Sequence, residues 1–181
     1  MATNTTRRPA PSRATQRPAE IAAALDGIRR IVQTLRLSAR SAEQRLGISG
    51  AQLFVLHALA ESPARSLNDL AARTFTHQSS VSVVVDRLAR RRLVSRERST
   101  EDGRRVTLAL TPAGRALLRS APEVAQIRLI DALRSLPPAD RRALARILER
   151  MVDAMGVARA APLLFDDAPE PGRARRAARR R

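Results

Sequence analysis

Residues 94–111 read VSRERSTEDGRRVTLALT, and they carry the clearest structural signal in the chain. Side chains of two kinds alternate along 94–99 and again along 105–110, a pattern typical of half-buried β-strands. Between the two runs lies Glu101-Asp102-Gly103, a sequence that favours a hairpin turn. Because arginine recurs on both arms, the stretch predicts a basic β-hairpin.

Two short helices are predicted just before this hairpin. Ser66-Leu67-Asn68-Asp69 has a serine suited to the N-cap of the first helix, which should cover residues 66–73. A Thr-rich turn at 74–76 separates it from a helix over 77–91. One side of that helix carries Val81, Val84, Val85 and Leu88. Two helices joined by a tight turn and followed by a hairpin predict a winged helix-turn-helix.

Further helices are predicted on the amino-terminal side. The first runs from Glu20 to Leu46 with apolar residues at heptad spacing: Ile21, Leu25, Ile28, Val32, Leu35, Ala39, Ala42 and Leu46. A seam of this length indicates a helical partner outside the compact domain as well as one within it. Ser49-Gly50-Ala51-Gln52 is a capping box that begins a second helix, which should continue to about Glu61.

The carboxyl-terminal part predicts two more helices. Thr111-Pro112 combines an N-cap residue with a proline at the first helical position, so a helix should start there and run to about Leu136. Pro122 lies inside this helix, where we expect a kink. After Pro137-Pro138 a last helix should extend to about Val157 with six side chains facing inward: Leu144, Ile147, Leu148, Met151, Val152 and Met155.

Composition divides the 181 residues into one domain and two tails. Residues 1–18 predict a disordered basic arm, and residues 161–181, which end in RARRAARRR, predict a disordered Arg-rich tail. The domain should span 19–160, with its winged part at about 49–111. The predicted fold class is mainly α with a small β-hairpin wing: a winged helix-turn-helix flanked by N- and C-terminal dimerisation helices.

The charge of the chain favours a polyanionic partner. The formal net charge is +17, and nucleic acid is the commonest polyanion that such a charge attracts. An acidic membrane surface or an acidic protein is the alternative. The residue types of the winged part fit a DNA duplex, because a major groove admits one α-helix and short polar side chains can approach its base edges.

Three groups of residues are the candidates for DNA contact. Short side chains that could face the major groove lie in the first half of the 77–91 helix: Gln78, Ser79, Ser80, Ser82 and Val83. Cations that could reach the flanking phosphates follow them: Arg87, Arg90, Arg91 and Arg92. Cations predicted at the hairpin tip are suited to a minor groove: Arg96, Arg98, Arg104 and Arg105.

Several functional classes find no support in the sequence. The chain has no cysteine, which excludes a disulfide, a Cys-ligated zinc and a thiol switch. No apolar run approaches the length of a transmembrane helix, and a cytoplasmic location is expected. No metal-binding spacing, catalytic triad order or Gly-rich phosphate loop is evident, so we expect no enzyme activity, no metal and no cofactor.

A family resemblance rests on motifs spread from Gln52 to Leu117. Its carriers are Gln52-Leu53-Phe54-Val55-Leu56, Leu67-Asn68-Asp69-Leu70-Ala71, Ser79-Ser80-Val81-Ser82 and Val85-Asp86-Arg87-Leu88. The most specific are Asp102-Gly103-Arg104 and Leu110-Thr111-Pro112-Ala113-Gly114. They resemble the Asp-x-Arg wing and the Leu-Thr-x-x-Gly exit from the wing in the MarR family of bacterial transcription regulators.

The resemblance implies a role for several residues. Arg104 would enter the minor groove, oriented by Asp102 through a charge-assisted hydrogen bond. Ser66, at a helix N-cap, would sit close to a phosphate. The first, fifth and sixth helices would interlock as a homodimer on a pseudo-palindromic operator. The implied function is a sequence-specific DNA-binding regulator, acting as a repressor that a small-molecule effector releases.

One position departs from the family pattern. The helix over 77–91 corresponds to the recognition helix of the family. Arg92 stands where the family usually has a glycine between this recognition helix and the wing. A glycine there supplies a left-handed helix end. Arg92 should therefore adopt the left-handed conformation at a cost of order 1 kcal/mol, or the helix must end differently.

The remaining candidates concern the two histidines and one arginine. His57 is a candidate for lining an effector pocket near the dimerisation helices, and Arg40 for attracting an anionic effector. The alternatives are a partly exposed histidine whose ring nitrogens are satisfied, and a solvated arginine. His77 is predicted as a polar residue at the start of the recognition helix or as a phosphate contact.

Two other functions remain open from the sequence. The Arg-rich tails also suit a non-specific, architectural nucleic-acid-binding protein. A helical adaptor for an acidic protein would use the same arginines, but it does not explain the hairpin.

Overall fold

The computed structural model describes residues 13–98 and 106–156, which form mostly helices. Its elements are α1 (Arg13–Leu46), α2 (Gly50–Glu61), α3 (Leu67–Arg73), α4 (Gln78–Arg90), β1 (Val94–Arg98), β2 (Val106–Leu110), α5 (Pro112–Arg119), α6 (Ala125–Ser135) and α7 (Pro138–Ala154). The predicted fold class, mainly α with a small hairpin wing, is confirmed. The arm before residue 13 and the predicted tail 161–181 lie outside the described residues.

The described residues divide into two units, with the boundary between Arg36 and Leu37. In the first unit the structure describes a single helical segment with an exposed apolar set: Ile21, Leu25, Ile28, Ile31 and Val32. Helix α1 begins at Arg13 and not at Glu20, so part of the predicted arm is helical. Pro18 lies inside this helix, where it has no N–H to donate to the Ala14 carbonyl.

In the second unit α2 is the central element of the core. Most of its side chains are buried, because α4, α3, α5 and the hairpin all pack around it. The largest side chains that are completely buried in this core are Ile48, Leu53, Leu56, Leu70, Leu88 and Leu108. A core of branched aliphatic side chains agrees with the low aromatic content of the chain.

The wing is a regular antiparallel pair. Val94 lies opposite Leu110 and Arg98 opposite Val106. The backbone of Ala64, between α2 and α3, extends this pair at its edge: its N–H donates to the carbonyl of Leu108 at 2.9 Å, and the Leu108 N–H donates back at 2.8 Å. The wing is therefore fastened to the loop that precedes the helix-turn-helix.

Side-chain hydrogen bonds cap both ends of α2 and the start of α3. The Ser49 hydroxyl accepts from the Gln52 backbone N–H at 3.2 Å, and the Gln52 side-chain Oε1 accepts from the Ser49 N–H at 2.9 Å, which confirms the capping box. The Ser66 hydroxyl accepts from the Asp69 N–H at 3.0 Å. At the other end of α2, the Arg73 guanidinium donates to the carbonyls of Ala58 and Ser62, satisfying groups that the helix leaves unpaired.

The single kinked helix predicted from Thr111 to Leu136 is wrong. The chain forms two separate helices, α5 and α6, joined by Ser120–Val124. Pro122 lacks an N–H and disfavours helical geometry at the residue before it, so the helix ends instead of bending. The Ser38 hydroxyl stabilises the start of α6. It donates to the Glu123 carbonyl and accepts from the Ala125 N–H, both at 3.1 Å.

The inward orientation predicted for α7 is also wrong within one chain. The helix begins after Pro137 as expected and ends at Ala154, but it has no buried residue. Its large apolar side chains are exposed: Ile147, Leu148, Met151, Val152 and Met155. Periodicity correctly indicated an apolar face, but within the described part of the chain no element covers it.

The wing and α5 are joined by close backbone and side-chain contacts at Thr111 and Gly114. The Thr111 hydroxyl donates to the Arg92 carbonyl at 2.7 Å and accepts from the Gly114 N–H at 3.0 Å. The Thr111 N–H donates to the Leu93 carbonyl at 3.1 Å. A Cβ on Gly114 would lie 2.2 Å from that same Leu93 oxygen, so only glycine fits there without a shift of the backbone.

Replacing Gly114 with alanine should therefore destabilise the fold. We expect Gly114→Ala to lower the free energy of unfolding by about 1–3 kcal/mol, the usual cost of overpacking, in urea titrations. The matched control is Gly27→Ala in α1, where an added Cβ meets nothing within 4 Å. This control should raise stability by about 0.5–1 kcal/mol, because alanine favours a helix more than glycine does. Equal effects of the two changes would contradict the steric account.

Candidate nucleic-acid interface

The turn before α4 is held by two threonines. The Thr74 hydroxyl donates to the Leu70 carbonyl at 2.8 Å and lies 2.7 Å from the Thr76 hydroxyl. Between them, Phe75 has a φ of 53°, in the left-handed region that bulky residues rarely adopt. The turn thus fixes the direction in which α4 leaves α3.

Helix α4 has one buried face and one exposed face. Val81, Val84, Val85 and Leu88 are fully buried against the core. Gln78 and Ser79 are exposed, Val83 is 44% exposed, and Ser82 is half-buried. These four residues remain from the predicted reading set.

Ser80 does not belong to the exposed face. It is only 8% exposed, so its predicted place in a major groove is wrong for this structure. The reason is helical periodicity: Ser80 lies four residues before Val84 and eight before Leu88, on the buried side of α4. Two serines near it in sequence, Ser79 and Ser82, point toward solvent more than it does.

The amino-terminal end of α4 is open. His77 occupies the N-cap position, and its ring makes no capping hydrogen bond. The ring is exposed to solvent. N–H groups at such a helix start, together with the helix dipole, favour an anion such as phosphate. Ser66, in contrast, is half-buried at the start of α3, and its hydroxyl already caps that helix.

The arginines of this site lie on α4 and on the neighbouring strand β1. Arg90 is exposed at the last turn, and Arg87 is half-buried one turn earlier. Arg96 is not at the hairpin tip as predicted: it lies in the middle of β1, opposite Leu108, where its guanidinium forms an ion pair with Asp86 of α4. This pair joins the wing directly to the recognition helix.

The rest of the wing set is described in part or not at all. Arg98 is the last residue of β1, opposite Val106. Asp102 and Arg104, the most specific of the predicted residues, lie outside the described residues, and so does Arg105. Their roles stay predictions.

The end of α4 confirms the expectation for Arg92. This residue has a φ of 58°, so it adopts the left-handed conformation. The Arg92 N–H donates to the Ala89 carbonyl at 2.9 Å, and the Leu93 N–H donates to the Leu88 carbonyl at 3.0 Å. Helix ends that favour glycine have bonds of this kind. The neighbouring Arg91 is anchored through its guanidinium to the Gly47 carbonyl.

His57 has an unusual environment for a polar side chain. Its Nε2 atom is buried and has no hydrogen-bond partner. Burial lowers the pKa of His57, and the nearby Glu61 carboxylate opposes this effect in part. His57 is half-buried, as the alternative expected, but no partner for its Nε2 atom lies among the described residues.

The structure does not bring the two effector candidates together. Arg40 is exposed on α1, and no hydrogen bond or ion pair joins it to His57 in the described part of the chain. A cavity of about 480 Å³ lies elsewhere, among α2, β2 and α5, and neither residue lines it.

Two contacts between side chains were not predicted from the sequence. The Asp86–Arg96 pair joins a helix to a strand, and Arg134 of α6 lies 5.7 Å from the centre of the Phe75 ring. Both depend on how separate elements pack, so no local pattern marks them. Among residues 13–98 and 106–156, no group of three potential ligands could hold a metal ion. None of the helices described is long and apolar enough to cross a membrane.

The polar helix face beside a basic hairpin defines a winged helix-turn-helix protein. A model described as MarR family matches residues 46–105. The HTH-type transcriptional repressor MdtR of Bacillus subtilis (strain 168) is 34% identical over 71 residues. That match covers 39% of this chain and 46% of MdtR, so the chain spans about half the length of this curated relative. The match to the family model relates the winged part of the chain, residues 46–105, to the MarR family of transcription regulators.

The chain is also similar to solved structures. Sco3205, a MarR family transcriptional regulator from Streptomyces coelicolor solved in complex with DNA, has the same fold with a TM-score of 0.52. It is 24% identical, over 81% of this chain and 96% of its own. BpsR of Bordetella bronchiseptica, whose DNA binding is regulated by 6-hydroxynicotinic acid, is 32% identical over 70% of this chain and 90% of its own, with a TM-score of 0.46.

The left-handed conformation of Arg92 predicts a stabilising substitution. Arg92→Gly should raise the free energy of unfolding by about 1 kcal/mol, because glycine adopts positive φ without the Cβ clash. Arg90→Gly removes the same charge from the same helix end, but from a helical position, and should lower stability by about 1 kcal/mol. Urea titration of both variants checks the pair. Destabilisation by Arg92→Gly would show that the guanidinium matters more than the backbone.

Burial of His57 predicts a loss of stability in acid. Its folded pKa lies below the unfolded value of 6.5, so the folded state resists protonation. The stabilising contribution is complete above that value and is lost as the pH falls through the folded pKa. Between pH 7.5 and 5.5, His57→Gln should lose less free energy of unfolding than the parent chain. Glu61→Gln should lose more, since the charge that raises the His57 pKa is gone. Identical profiles for all three would refute this assignment.

Proposed function

We propose that the chain is a homodimeric, sequence-specific DNA-binding transcription regulator of the cytoplasm, a repressor that a small-molecule effector releases from DNA. The observation that carries the proposal is the exposed face of α4. It presents short, uncharged side chains in its first two turns and arginines in its last turn. That order separates base reading from phosphate binding along one helix.

The base contacts are assigned to four residues of α4. Gln78 can pair bidentately with an adenine, and the methyl groups of Val83 can contact a thymine methyl group. Ser79 and Ser82 are short enough to let the helix approach the groove floor. None of these side chains is charged, so affinity must come from other residues.

Phosphate and minor-groove contacts are assigned to the edges of the site. His77 lies at the open start of α4, and Ser66 at the start of α3, where backbone phosphates would pass. Arg87 and Arg90 would face the backbone beyond the groove, with Arg98 on the wing. Arg104, oriented by Asp102, is proposed to enter the minor groove, where negative potential attracts arginine.

Dimerisation explains apolar surface that one chain leaves uncovered. Helix α7 exposes five large apolar side chains and buries none. In the other compact unit, α1 separately exposes the apolar set at Ile21–Val32. Contiguous apolar surface of this kind marks interaction sites. A second copy of the chain is the proposed partner, because two-fold symmetry then matches a pseudo-palindromic operator.

Effector release is assigned to His57 and Arg40. His57 contributes a buried ring nitrogen without a partner, which a ligand could satisfy. Arg40, exposed on α1, would attract an anionic ligand. Such a molecule releases DNA only if it binds the DNA-incompetent form more tightly.

A competition titration tests the proposal. The full chain should protect two half-sites about 34–36 Å apart on DNA from the region upstream of its own gene. At physiological salt it should prefer that DNA over random sequence by on the order of 10³-fold or more. A footprint without two-fold symmetry would contradict the dimeric arrangement.

The same titration separates the alternative function, a non-specific architectural protein. That function predicts equal affinity for operator and random DNA. Arg104→Ala should weaken binding to both DNAs, whereas Gln78→Ala should weaken operator binding alone, by about 1–3 kcal/mol for a lost bidentate contact. If the two variants behave alike, α4 does not read the sequence.

A further inference from the structure

The side chain of Phe75 is not explained by the turn in which it lies. It is 66% exposed, and its backbone has a positive φ. Glycine or asparagine would occupy that conformation with less strain and without exposing an aromatic ring. Strained residues that persist in a fold are found preferentially at functional sites.

The hydrogen bonds of the turn do not involve the ring. The Thr74 and Thr76 hydroxyls contact each other, and the Thr76 N–H donates to the Ala71 carbonyl at 3.0 Å. These bonds use threonine side chains and backbone atoms. The ring is therefore available for an interaction beyond the turn.

That interaction is with Arg134 in the last turn of α6. The Arg134 guanidinium carbon lies 5.7 Å from the centre of the Phe75 ring, within the range of a cation–π contact. The guanidinium is oriented by Asp131, whose carboxylate accepts from it at 3.2 Å. The carbonyl of Arg134 accepts from Arg141 of α7 at 3.2 Å. Arg134 thus lies at the corner between α6 and α7, with its guanidinium paired to Asp131 and its carbonyl bound to Arg141.

The other side of the contact leads to the reading face. Phe75 comes two residues before the His77 N-cap of α4, and the Val81 N–H donates to the His77 carbonyl at 3.1 Å. We propose that Phe75 and Arg134 are positioning residues, and that their contact transmits the placement of the α6–α7 corner to the first turn of α4. This inference rests on the proposed function, because α7 carries the proposed dimer surface.

The consequence for DNA is a control of half-site spacing. In a symmetric dimer, the distance between the two recognition helices is set by the elements that join each of them to the dimer interface. If the contact carries part of that connection, its loss frees the start of α4 and broadens the spacing that the dimer accepts. A purely structural role would change stability without changing the spacing preference.

The experiment is a double-mutant cycle on the full chain. Phe75→Leu keeps an apolar side chain but removes the π face, and Arg134→Gln keeps a polar side chain of similar reach without the charge. Each should weaken binding to the operator by roughly two- to fivefold, the size of an exposed cation–π contact. The double variant should lose no more than the larger single loss. Multiplication of the two losses would overturn the proposal.

A matched control comes from the same helix. Arg128 of α6 is an exposed arginine that pairs with Glu123 at 3.6 Å. Arg128→Gln removes the same charge, and its effect should multiply with that of Phe75→Leu. A second operator carries one base pair inserted between the half-sites, and the measured quantity is the ratio of the affinities for the two operators. This ratio should be smaller for Phe75→Leu and Arg134→Gln than for the parent chain. For Arg128→Gln it should equal that of the parent chain. Unchanged discrimination in the first two variants would refute the positioning role.

A measurement on the free protein keeps the two proposals separate. Hydrogen exchange at the Val81 amide should be faster in Phe75→Leu and Arg134→Gln than in the parent chain, and unchanged in Arg128→Gln. If the parent chain does not prefer its operator, the proposed function fails, and this exchange result still decides whether the contact holds α4. Equal exchange in all four proteins would refute the contact itself.

Discussion

The backbone carbonyls of Arg92 and Leu93 accept the hydrogen bonds that join the wing and α5 to the end of α4. Thr111 binds both of them, one through its hydroxyl and the other through its N–H. Gly114 lets the first turn of α5 lie directly against the Leu93 oxygen. The end of the recognition helix, the base of the wing and the start of the next helix therefore share one set of hydrogen bonds, so displacement of any one displaces the others.

The parts of the fold that were predictable depend on neighbours in sequence. The capping box at Ser49, the N-cap at Ser66 and the strand register around the hairpin follow from side chains a few residues apart. The split between α5 and α6 was not predictable in the same way. Pro122 signals a disturbance, but the start of α6 is held by the Ser38 hydroxyl, which lies far away in sequence and which no local pattern indicates.

The candidate site shows the same division. Periodicity placed most of α4's exposed face correctly, yet Ser80 was misassigned because a run of serines hides the one that turns inward. Arg96 was misplaced because its position is set by the Asp86 carboxylate on another element. The apolar face of α7 was recognised, but sequence periodicity cannot state whether its partner is the same chain or another.

The bare apolar face of α7 also has a consequence in the cell. No other element among the described residues shields this helix, so a chain that has not met its proposed second copy would expose it to proteases and chaperones. Association with a partner stabilises the folded form by mass action, and the benefit falls as the concentration falls. Copy number would then govern the lifetime of the regulator as well as its occupancy on DNA, with scarce protein removed faster than abundant protein.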